Sequence, residues 1–202
     1  TQQILPGDLL YGPHHDYFLV KLNLENDPLH PKETIEFIYA NIAQQLGIEM
    51  MPCELWEEKH FATHRFDRQN NQKQHVLTAA GLTGWDYQNP EESSYENLFK
   101  LAMALKIPLG ELQQLFRRMV FNVVFNNIDD HLKNHSFCYR PETDSWHLSP
   151  AYDLTYALNP KLKFHKVSRA LSISGKREQI NKKDLLKIAD MFSIEHAEQT
   201  IQ

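Results

Sequence analysis

The sequence is poor in cysteine and has no long apolar run, and each shortage excludes a class of protein. Two cysteines among 202 residues cannot build a disulfide framework, and no C-x-x-C pair is present to bind zinc. No apolar stretch is long enough to cross a membrane, and the first residues do not resemble a secretory leader. We therefore expect a cytoplasmic protein without a membrane partner, in which Cys53 and Cys138 are small core residues.

Net positive charge is lacking as well. Lys and Arg number 21 against 26 Asp and Glu, which gives a formal net charge of −5. Binding of nucleic acid by bulk charge requires a basic surface, so we expect no direct contact with nucleic acid. Hydrophobic residues (42%) and charged residues (23%) occur in the proportions of an ordinary globular protein, and the length fits one or two domains of about 100–200 residues each.

The spacing of the apolar residues predicts an α+β protein with two lobes. The N-terminal part has a strand over 17–22, a loop over 23–31, an amphipathic helix over 32–46 ended by Gly47, and a hairpin of strands 51–56 and 60–66. The C-terminal part has helices over 95–105, 110–125 and 182–192, connecting segments over 67–74 and 79–94, and short strands near 137–139 and 146–148. We expect a small strand-rich N-lobe over 1–66 and a larger helical C-lobe over 67–202.

A run of polar residues follows the apolar helix 110–125. Nine of the eleven residues from Asn126 to Ser136 are polar, and Asp129 and Asn134 stand five positions apart. Protein kinases place a catalytic aspartate and a metal-binding asparagine at this D-x-x-x-x-N spacing. Because apolar segments fix both ends of the run, its residues suit a site that needs fixed geometry. A solvated loop without a function is the alternative.

Asp153 lies in a second segment, 148–154, with the sequence LSPAYDL. It follows a short predicted strand, so we expect its carboxylate to be held against the core and to be paired or bound to a cation. With Asn134 it offers two oxygen ligands for Mg²⁺, which takes its remaining ligands from water and substrate phosphates. Asp129 is then free to accept a hydroxyl proton. An aspartate that only caps a turn is the alternative for Asp153.

Lys21 belongs to the apolar strand 17–22. A lysine in a buried strand needs an anion, and kinases use such a lysine to hold the α- and β-phosphates of ATP. Glu36, on the helix that follows, can orient it. The alternatives are a lysine that protects an edge strand and a glutamate on the solvated side of its helix.

These segments together resemble the C-terminal kinase region of HipA-like toxins. The resemblance rests on NVVFNNIDDHLKNHSF over 122–137 and LSPAYDL over 148–154, with HRFDR over 64–68, SISGK over 172–176 and NKKDLL over 181–186 in support. It covers nearly the whole chain, and the pairing of D-D-H-x-K-N with S-P-A-Y-D-L is specific. It implies a fold similar to protein kinases and a serine/threonine kinase of a bacterial toxin–antitoxin system.

Matching positions then imply roles for single residues. Asp129 corresponds to the catalytic base, and Asn134 and Asp153 correspond to the Mg²⁺ ligands. The residues implied for binding of ATP are Lys21, Glu36, His64, Arg65, Phe66, Asp67, His131, Leu132, Lys133 and Tyr152. The resemblance also implies a protein substrate from translation, such as an aminoacyl-tRNA synthetase, as well as autophosphorylation and a DNA-binding antitoxin as partner.

The sequence departs from the family ahead of the lysine strand. The family's glycine-rich phosphate loop is missing, because Gly7 and Gly12 are the only glycines before Lys21 and neither stands in that pattern. We expect that the loop is truncated or disordered, rather than that the protein is inactive. A pseudokinase or nucleotide-binding scaffold without activity is the alternative. A third reading is a metal-dependent phosphoesterase built on Asp129, Asp130, His131 and His135.

Overall fold

A computed structural model describes residues 5–7, 9, 12, 15–24, 31–69, 72–86, 89, 91–156 and 168–202 of the chain. Within these residues, the helices of ten or more residues other than the first lie after residue 94. The elements are, in order, β1 (Phe18–Lys21), α1 (Lys32–Gln45), β2 (Cys53–Trp56), β3 (His60–His64), β4 (Arg68–Gln69), β5 (Gln72–Lys73), β6 (His75–Thr78), α2 (Ala79–Thr83), α3 (Tyr95–Ala104), α4 (Leu109–Val124), β7 (Ser136–Arg140), β8 (Ser145–Leu148), α5 (Lys182–Met191) and α6 (Ala197–Ile201), with a 3₁₀ turn at Leu132–Asn134.

The N-terminal sheet is antiparallel, has the order β1-β3-β2 and packs against α1. The hairpin of β2 and β3 turns through Glu57 and Glu58, whose φ angles of 50° and 60° are the left-handed conformation that tight hairpin turns use. Helix α1 stops before Gly47, which has a φ of 74° and whose missing Cβ would otherwise lie 2.6 Å from Nη1 of Arg117. Lys21, at the end of β1, faces α1, because its Nζ donates to Glu36 of that helix.

The C-terminal part contains a second antiparallel sheet, of order β6-β7-β8, and the helices α2 to α6, of which α2 contacts β6 and α4 contacts β8. Helix α3 is capped by Ser94, whose side chain accepts the N–H of Asn97, and α5 is capped by reciprocal bonds between Asn181 and Asp184. The apolar side of α4 faces the largest core, whose completely buried side chains include Tyr95, Leu98, Phe99, Leu115, Phe116, Met119, Leu132, Phe137, Leu171, Ile173 and Ile188.

A smaller apolar cluster joins the two parts. Ala43 and Ile48, from the end of α1, pack with Phe121 of α4 and with Ala151 and Leu154 of the segment after β8. The hydroxyl of Tyr39 donates to the carbonyl of Phe125 at 2.6 Å, and a parallel bridge pairs Met50 with Ala151. These contacts set the position of α1 relative to the turn that contains Asp153.

The structure confirms the predicted α+β class and the predicted strands and helices of the N-terminal part. It also confirms the three predicted C-terminal helices within a few residues of their bounds. Residues 25–30 of the predicted loop lie outside the described residues. The division at residue 66 stays a prediction. In the described part of the chain, no helix has both the length and the apolar character needed to span a bilayer.

Several predictions of local structure were wrong. The predicted connecting segments contain a short hairpin of β4 and β5 and the helix α2, and β6 lies between the two segments. Strand β6 has only four residues, which are too few to show an alternation of apolar and polar side chains. It is stabilised by its pairing with β7, which is distant in sequence. Helix α6 was also missed. Cys53 and Cys138 are each partly exposed free thiols rather than core residues.

Candidate active site

A cleft of about 390 Å³ opens between the N-terminal sheet, α1 and the turn after β8. Its volume lies within the range of small-molecule sites, roughly 300–1,000 Å³. The strand β1, the helix α1, the stretch after β3 and the turn before Leu154 each contribute walls. Eight of the predicted site residues line it, namely Lys21, Glu36, His64, Arg65, Phe66, Asp67, Tyr152 and Asp153. The structure therefore brings together residues that are up to 132 positions apart in sequence.

Lys21 is the centre of the charged wall of this cleft. Its Nζ donates to both carboxylate oxygens of Glu36 at 2.8 Å and also to Oδ1 of Asp153. Glu36 is only 6% exposed, so the reading of Glu36 as a solvated helix residue is wrong. Asp153 has a φ of 56°, a left-handed conformation that aspartate tolerates better than most residues, and this turn aims its carboxylate back at Lys21.

Burial and charge oppose each other at this ion pair. Burial by itself would lower the pKa of Lys21, but the carboxylates of Glu36 and Asp153 outweigh it and hold that pKa above its ordinary value. Burial raises the pKa of Glu36 to about 6, although the ammonium of Lys21 acts in the other direction. At neutral pH the site is therefore one ammonium between two carboxylates, with Glu36 kept charged against the cost of its burial.

The opposite wall is formed by the residues that follow β3. Asp67 accepts hydrogen bonds from Nε and Nη2 of Arg65, at 2.8 and 2.6 Å, and from Nη1 of Arg68 at 2.6 Å. Burial alone would raise the pKa of Asp67, but these two guanidinium groups more than offset it and hold that pKa below its usual value. Phe66 stacks on the ring of Tyr152 with centroids 5.8 Å apart, which gives this wall a flat apolar surface.

The polar run 126–136 lies beside the cleft. The carboxylate of Asp129 is 65% exposed, and Nε2 of His131 lies 3.8 Å from its Oδ1. The Nδ2 atom of Asn134 donates to the carbonyl of Asp129 at 2.9 Å, so the 3₁₀ turn folds the end of the run back on its start. Among the described residues that line the cleft, five of the predicted site residues are absent, namely Asp129, His131, Leu132, Lys133 and Asn134.

Leu132 differs from the other predicted residues of this run. Its side chain is completely buried in the main core, so only its backbone can face a ligand, whereas Lys133 is exposed. The turn with Tyr152 is fixed to the same run, since the Tyr152 hydroxyl donates to the carbonyl of Lys133 at 2.8 Å and lies 2.5 Å from the Ser136 hydroxyl. These two contacts attach the residues on either side of Asn134 to the side chain of Tyr152, the neighbour of Asp153 in sequence.

The oxygen atoms at this junction suit a hard divalent cation. Asn134 uses its amide nitrogen in the bond to Asp129, so its carbonyl oxygen is the atom that would bind a cation, and Asp153 would offer a carboxylate. Amide and carboxylate oxygens are ligands that Mg²⁺ prefers, with water and phosphate completing its shell. In the structure the ammonium of Lys21 is bonded to the carboxylate of Asp153. This ammonium compensates the negative charge of Asp153 that a bound cation would otherwise neutralise.

The phosphoesterase reading finds no support in these contacts. Among the residues that the structure describes, no three His, Cys, Asp or Glu side chains converge as a metal site. His135 is 3% exposed and burial lowers its pKa to about 3, while the carboxylate of Asp130 is held by Tyr95 and Arg169. These groups face the core and not a substrate.

A set of buried residues supports the run 126–136, and this role was not predicted from the sequence for any of them. Asp130, Tyr95, Asn122, Asn127 and Arg169 form one hydrogen-bonded set, which we call the loop network. A signal was available in α4, because Asn122 stands among apolar residues of a buried helix, where an amide needs partners. Its partners in α3 and after residue 168 could not be identified from sequence.

The chain matches a known family over nearly its whole length. A sequence model of the HipA-like C-terminal domain matches residues 8–202. The serine/threonine-protein kinase toxin HipA of Shewanella oneidensis is 28% identical over 143 residues, which are 59% of this chain and 33% of that protein. The chain spans between 32% and 39% of the length of the curated relatives that it matches.

Two solved structures share the fold. HipA of Shewanella oneidensis, in a complex with HipB and its operator DNA, matches with a TM-score of 0.74 and 21% identity over 91% of this chain and 48% of that chain. The proinflammatory kinase CtkA of Helicobacter pylori matches with a TM-score of 0.59 and 14% identity over 95% of this chain and 77% of that chain. The predicted kinase-like fold is thus confirmed.

Proposed function

This chain belongs to the family of HipA-like C-terminal domains, and we propose that it is an ATP-dependent serine/threonine protein kinase. It transfers the γ-phosphate of ATP to a serine of a protein target and phosphorylates itself. The relatives named as kinases, among them the toxin HipA of Shewanella oneidensis, support a kinase, while the choice of serine is our inference.

One observation carries the proposal. Lys21 lies on the wall of the 390 Å³ cleft, between the buried Glu36 and the turn carboxylate of Asp153. A kinase needs this set, because its lysine holds the α- and β-phosphates, a helix glutamate orients that lysine, and an aspartate after a short strand holds the metal. A purely structural ion pair would not need to face an open cleft.

The other residues take roles that fit their positions. The stacked rings of Phe66 and Tyr152 offer a flat surface for adenine, with the backbone of His64 and Arg65 and the carboxylate of Asp67 beside it. We assign His131, Leu132 and Lys133 to the phosphates, and Leu132 can contact them only through its backbone because its side chain is buried. Asn134 and Asp153 would hold Mg²⁺, which when bound supplies positive charge to the phosphate oxygens.

Asp129 is the residue that we propose as the catalytic base. Its exposed carboxylate is free to orient a substrate hydroxyl and to accept its proton as the phosphate bond forms. The exposure matters, because a protein serine must approach from solvent while the nucleotide fills the cleft. In a phosphate transfer of this kind, positioning and charge supply most of the rate.

The proposed partners follow from the family. The HipA relative of known structure is bound to HipB and DNA, and we infer that this chain is likewise neutralised by an antitoxin that binds DNA, while making no nucleic-acid contact of its own. The proposed target is a translation component such as an aminoacyl-tRNA synthetase, in the cytoplasm. No membrane partner is proposed.

The test is transfer of labelled γ-phosphate by the full chain, alone and with a cell extract as acceptor, with and without Mg²⁺. Asp129→Asn and Asp153→Asn should each lower the rate by at least about 100-fold, while the Asp129→Asn protein still binds ATP. Asp190→Asn, on the exposed side of α5, is the matched control and should leave the rate unchanged.

The outcomes separate the candidate functions. Transfer at the control rate in Asp129→Asn would refute its role as the base. Binding of ATP without any transfer would indicate the pseudokinase, whose support is the absence of a glycine-rich loop before Lys21. Hydrolysis of phosphoesters without ATP would indicate a phosphoesterase.

A further inference from the structure

We propose that the loop network around Asp130 holds the run 126–136 in the shape that presents Asp129, which makes Asp130, Tyr95 and Arg169 positioning residues for phosphate transfer. The inference rests on the proposed function of Asp129. None of the three is proposed to touch ATP, the metal or the protein substrate.

Asp130 is the centre of the loop network. It is only 1% exposed, and its Oδ2 accepts from the hydroxyl of Tyr95 at 2.8 Å and from Nη2 of Arg169 at 3.1 Å. Its Oδ1 accepts the backbone N–H of Leu171 at 3.3 Å. Three bonds from α3 and from the segment after residue 168 thus fix one carboxylate of the run.

The loop network also holds the residues that precede Asp129 in sequence. The hydroxyl of Tyr95 accepts from Nδ2 of Asn122 at 2.9 Å, and Oδ1 of Asn122 accepts from Nδ2 of Asn127 at 3.0 Å. Arg169 returns to the same place, since its Nη2 also donates to the carbonyl of Asn127 at 3.1 Å. The residue two positions before Asp129 and the residue directly after it are therefore held by one set of bonds.

The backbone between these anchors is fixed as well. The N–H of Ala170 donates to the carbonyl of Ile128 at 2.8 Å, and the carbonyl of Asp129 accepts from the side chain of Asn134. The carboxylate of Asp129 remains 65% exposed. Its backbone is thus immobilised while its side chain is left for a substrate, which is the arrangement that a positioned base requires.

The chemistry of the loop network favours orientation over simple stability. A buried ion pair stabilises a fold no better than well-packed apolar residues of the same volume, and often worse. Hydrogen bonds, however, fix the orientation of the groups that they join. Each bond of the loop network involves either a residue of the run 126–136 or a residue that is itself hydrogen-bonded to the run. A displacement of about 1 Å at a catalytic group can cost about 100-fold in rate, so the loop network has a measurable consequence.

The test uses Tyr95→Phe, which keeps the ring in the core and removes both bonds of the hydroxyl. Asp130→Asn leaves Arg169 buried without its counter-charge, and we expect it to lose much of the fold. In Tyr95→Phe, the kcat for phosphate transfer should fall by about 10- to 100-fold, while the KM for ATP changes by less than about twofold, because the cleft is untouched. Hydrogen exchange of the amides in 126–136 should become faster, with exchange in β1–β3 unchanged.

Two further variants separate positioning from stability. Phe192→Leu weakens the same core, where Phe192 stacks on Phe99 at 4.9 Å, and should lower the Tm by a few degrees without changing kcat. The double variant Tyr95→Phe with Asp129→Asn should be no slower than Asp129→Asn alone, because Tyr95 acts through Asp129.

Each outcome decides the matter. Unchanged exchange in 126–136, or faster exchange with an unchanged kcat, would overturn the proposal, as would additive losses in the double variant. If the wild-type chain transfers no phosphate, the proposed function fails, and the exchange measurement still decides whether the loop network holds the run.

Discussion

The Lys21→Met substitution removes an ammonium group that lies 2.8 Å from both oxygens of Glu36, a carboxylate that is 6% exposed. In the wild type, burial raises the pKa of Glu36 to about 6 even though Lys21 opposes the shift. In the variant the same burial acts without that opposition, so the pKa of Glu36 rises further. The folded state then keeps a proton over a pH range in which the unfolded chain has already lost it.

The loss of stability must therefore grow with pH. Below about pH 5, Glu36 is protonated in both folded proteins, and the substitution costs little through this group. Above about pH 6, Glu36 ionises in the folded wild type and stays protonated in the folded variant. The free energies of unfolding of the two proteins therefore separate by about 1.4 kcal/mol per pH unit, up to the pKa of Glu36 in the variant. At about pH 8 we expect the variant to be less stable by about 2–3 kcal/mol. The contact of Lys21 with Asp153 adds less, because those side chains are 37% and 38% exposed.

Urea unfolding at about pH 5 and about pH 8 measures this difference, with the fluorescence of Trp56, which packs on Phe18 of β1, as one reporter. Lys59→Met is the matched control, because Lys59 lies in the turn between β2 and β3 in an exposed pair with Glu57 at 3.8 Å, and its loss should be below about 0.5 kcal/mol at both pH values. Adding Glu36→Gln to Lys21→Met should recover stability at the higher pH. Equal losses at both pH values, or a double variant as unstable as the single one, would refute the reasoning.

Three more predictions test other parts of the chain. Burial raises the pKa of Cys138 to about 11, so alkylation of this thiol by iodoacetamide should be about 100-fold slower in the folded than in the urea-unfolded protein at about pH 8, and this group should cost stability as the pH rises from 9 towards 11. Gly47→Ala forces a Cβ to within 2.6 Å of Arg117 at a φ of 74°, and should lower the free energy of unfolding by about 1–2 kcal/mol in urea titrations. Tyr152→Phe removes the hydroxyl bond to the Lys133 carbonyl beside Asn134, and should raise the Mg²⁺ concentration for half-maximal phosphate transfer by about tenfold.

The sequence carried enough information for the charged wall of the cleft. Lys21 stands in a short apolar strand, and Glu36 stands on a helix that the apolar spacing predicts, so a buried lysine with a nearby acid could be inferred. Asp153 could be inferred for the same reason, as a carboxylate directly after a strand. These residues carry signals because burial of a charge in a local element demands a partner.

The partners of the supporting residues could not be identified from sequence, because they are distant in the chain. Arg118 is 2% exposed within the apolar side of α4 and donates to the carbonyl of Ser149, a contact between segments that no local pattern brings together. Strand β6 is similar, since its pairing with β7 joins residues about 60 positions apart. Short elements stabilised by distant pairing are decided by tertiary contacts and not by their own propensity.

Asp129 and Asp130 differ in the structure in a way that the sequence does not reveal. The two aspartates are neighbours and chemically identical, and the family spacing alone assigns the first of them to catalysis. In the structure their environments differ completely, since one carboxylate is 65% exposed and the other has no exposed surface. A buried aspartate bonded to an arginine cannot reach a substrate hydroxyl, and an exposed one cannot anchor a loop. Under the proposed function, the separate roles of the two aspartates depend on Tyr95 and Arg169, and we expect a substitution at either to lower the rate of phosphate transfer through Asp129, which neither of them contacts.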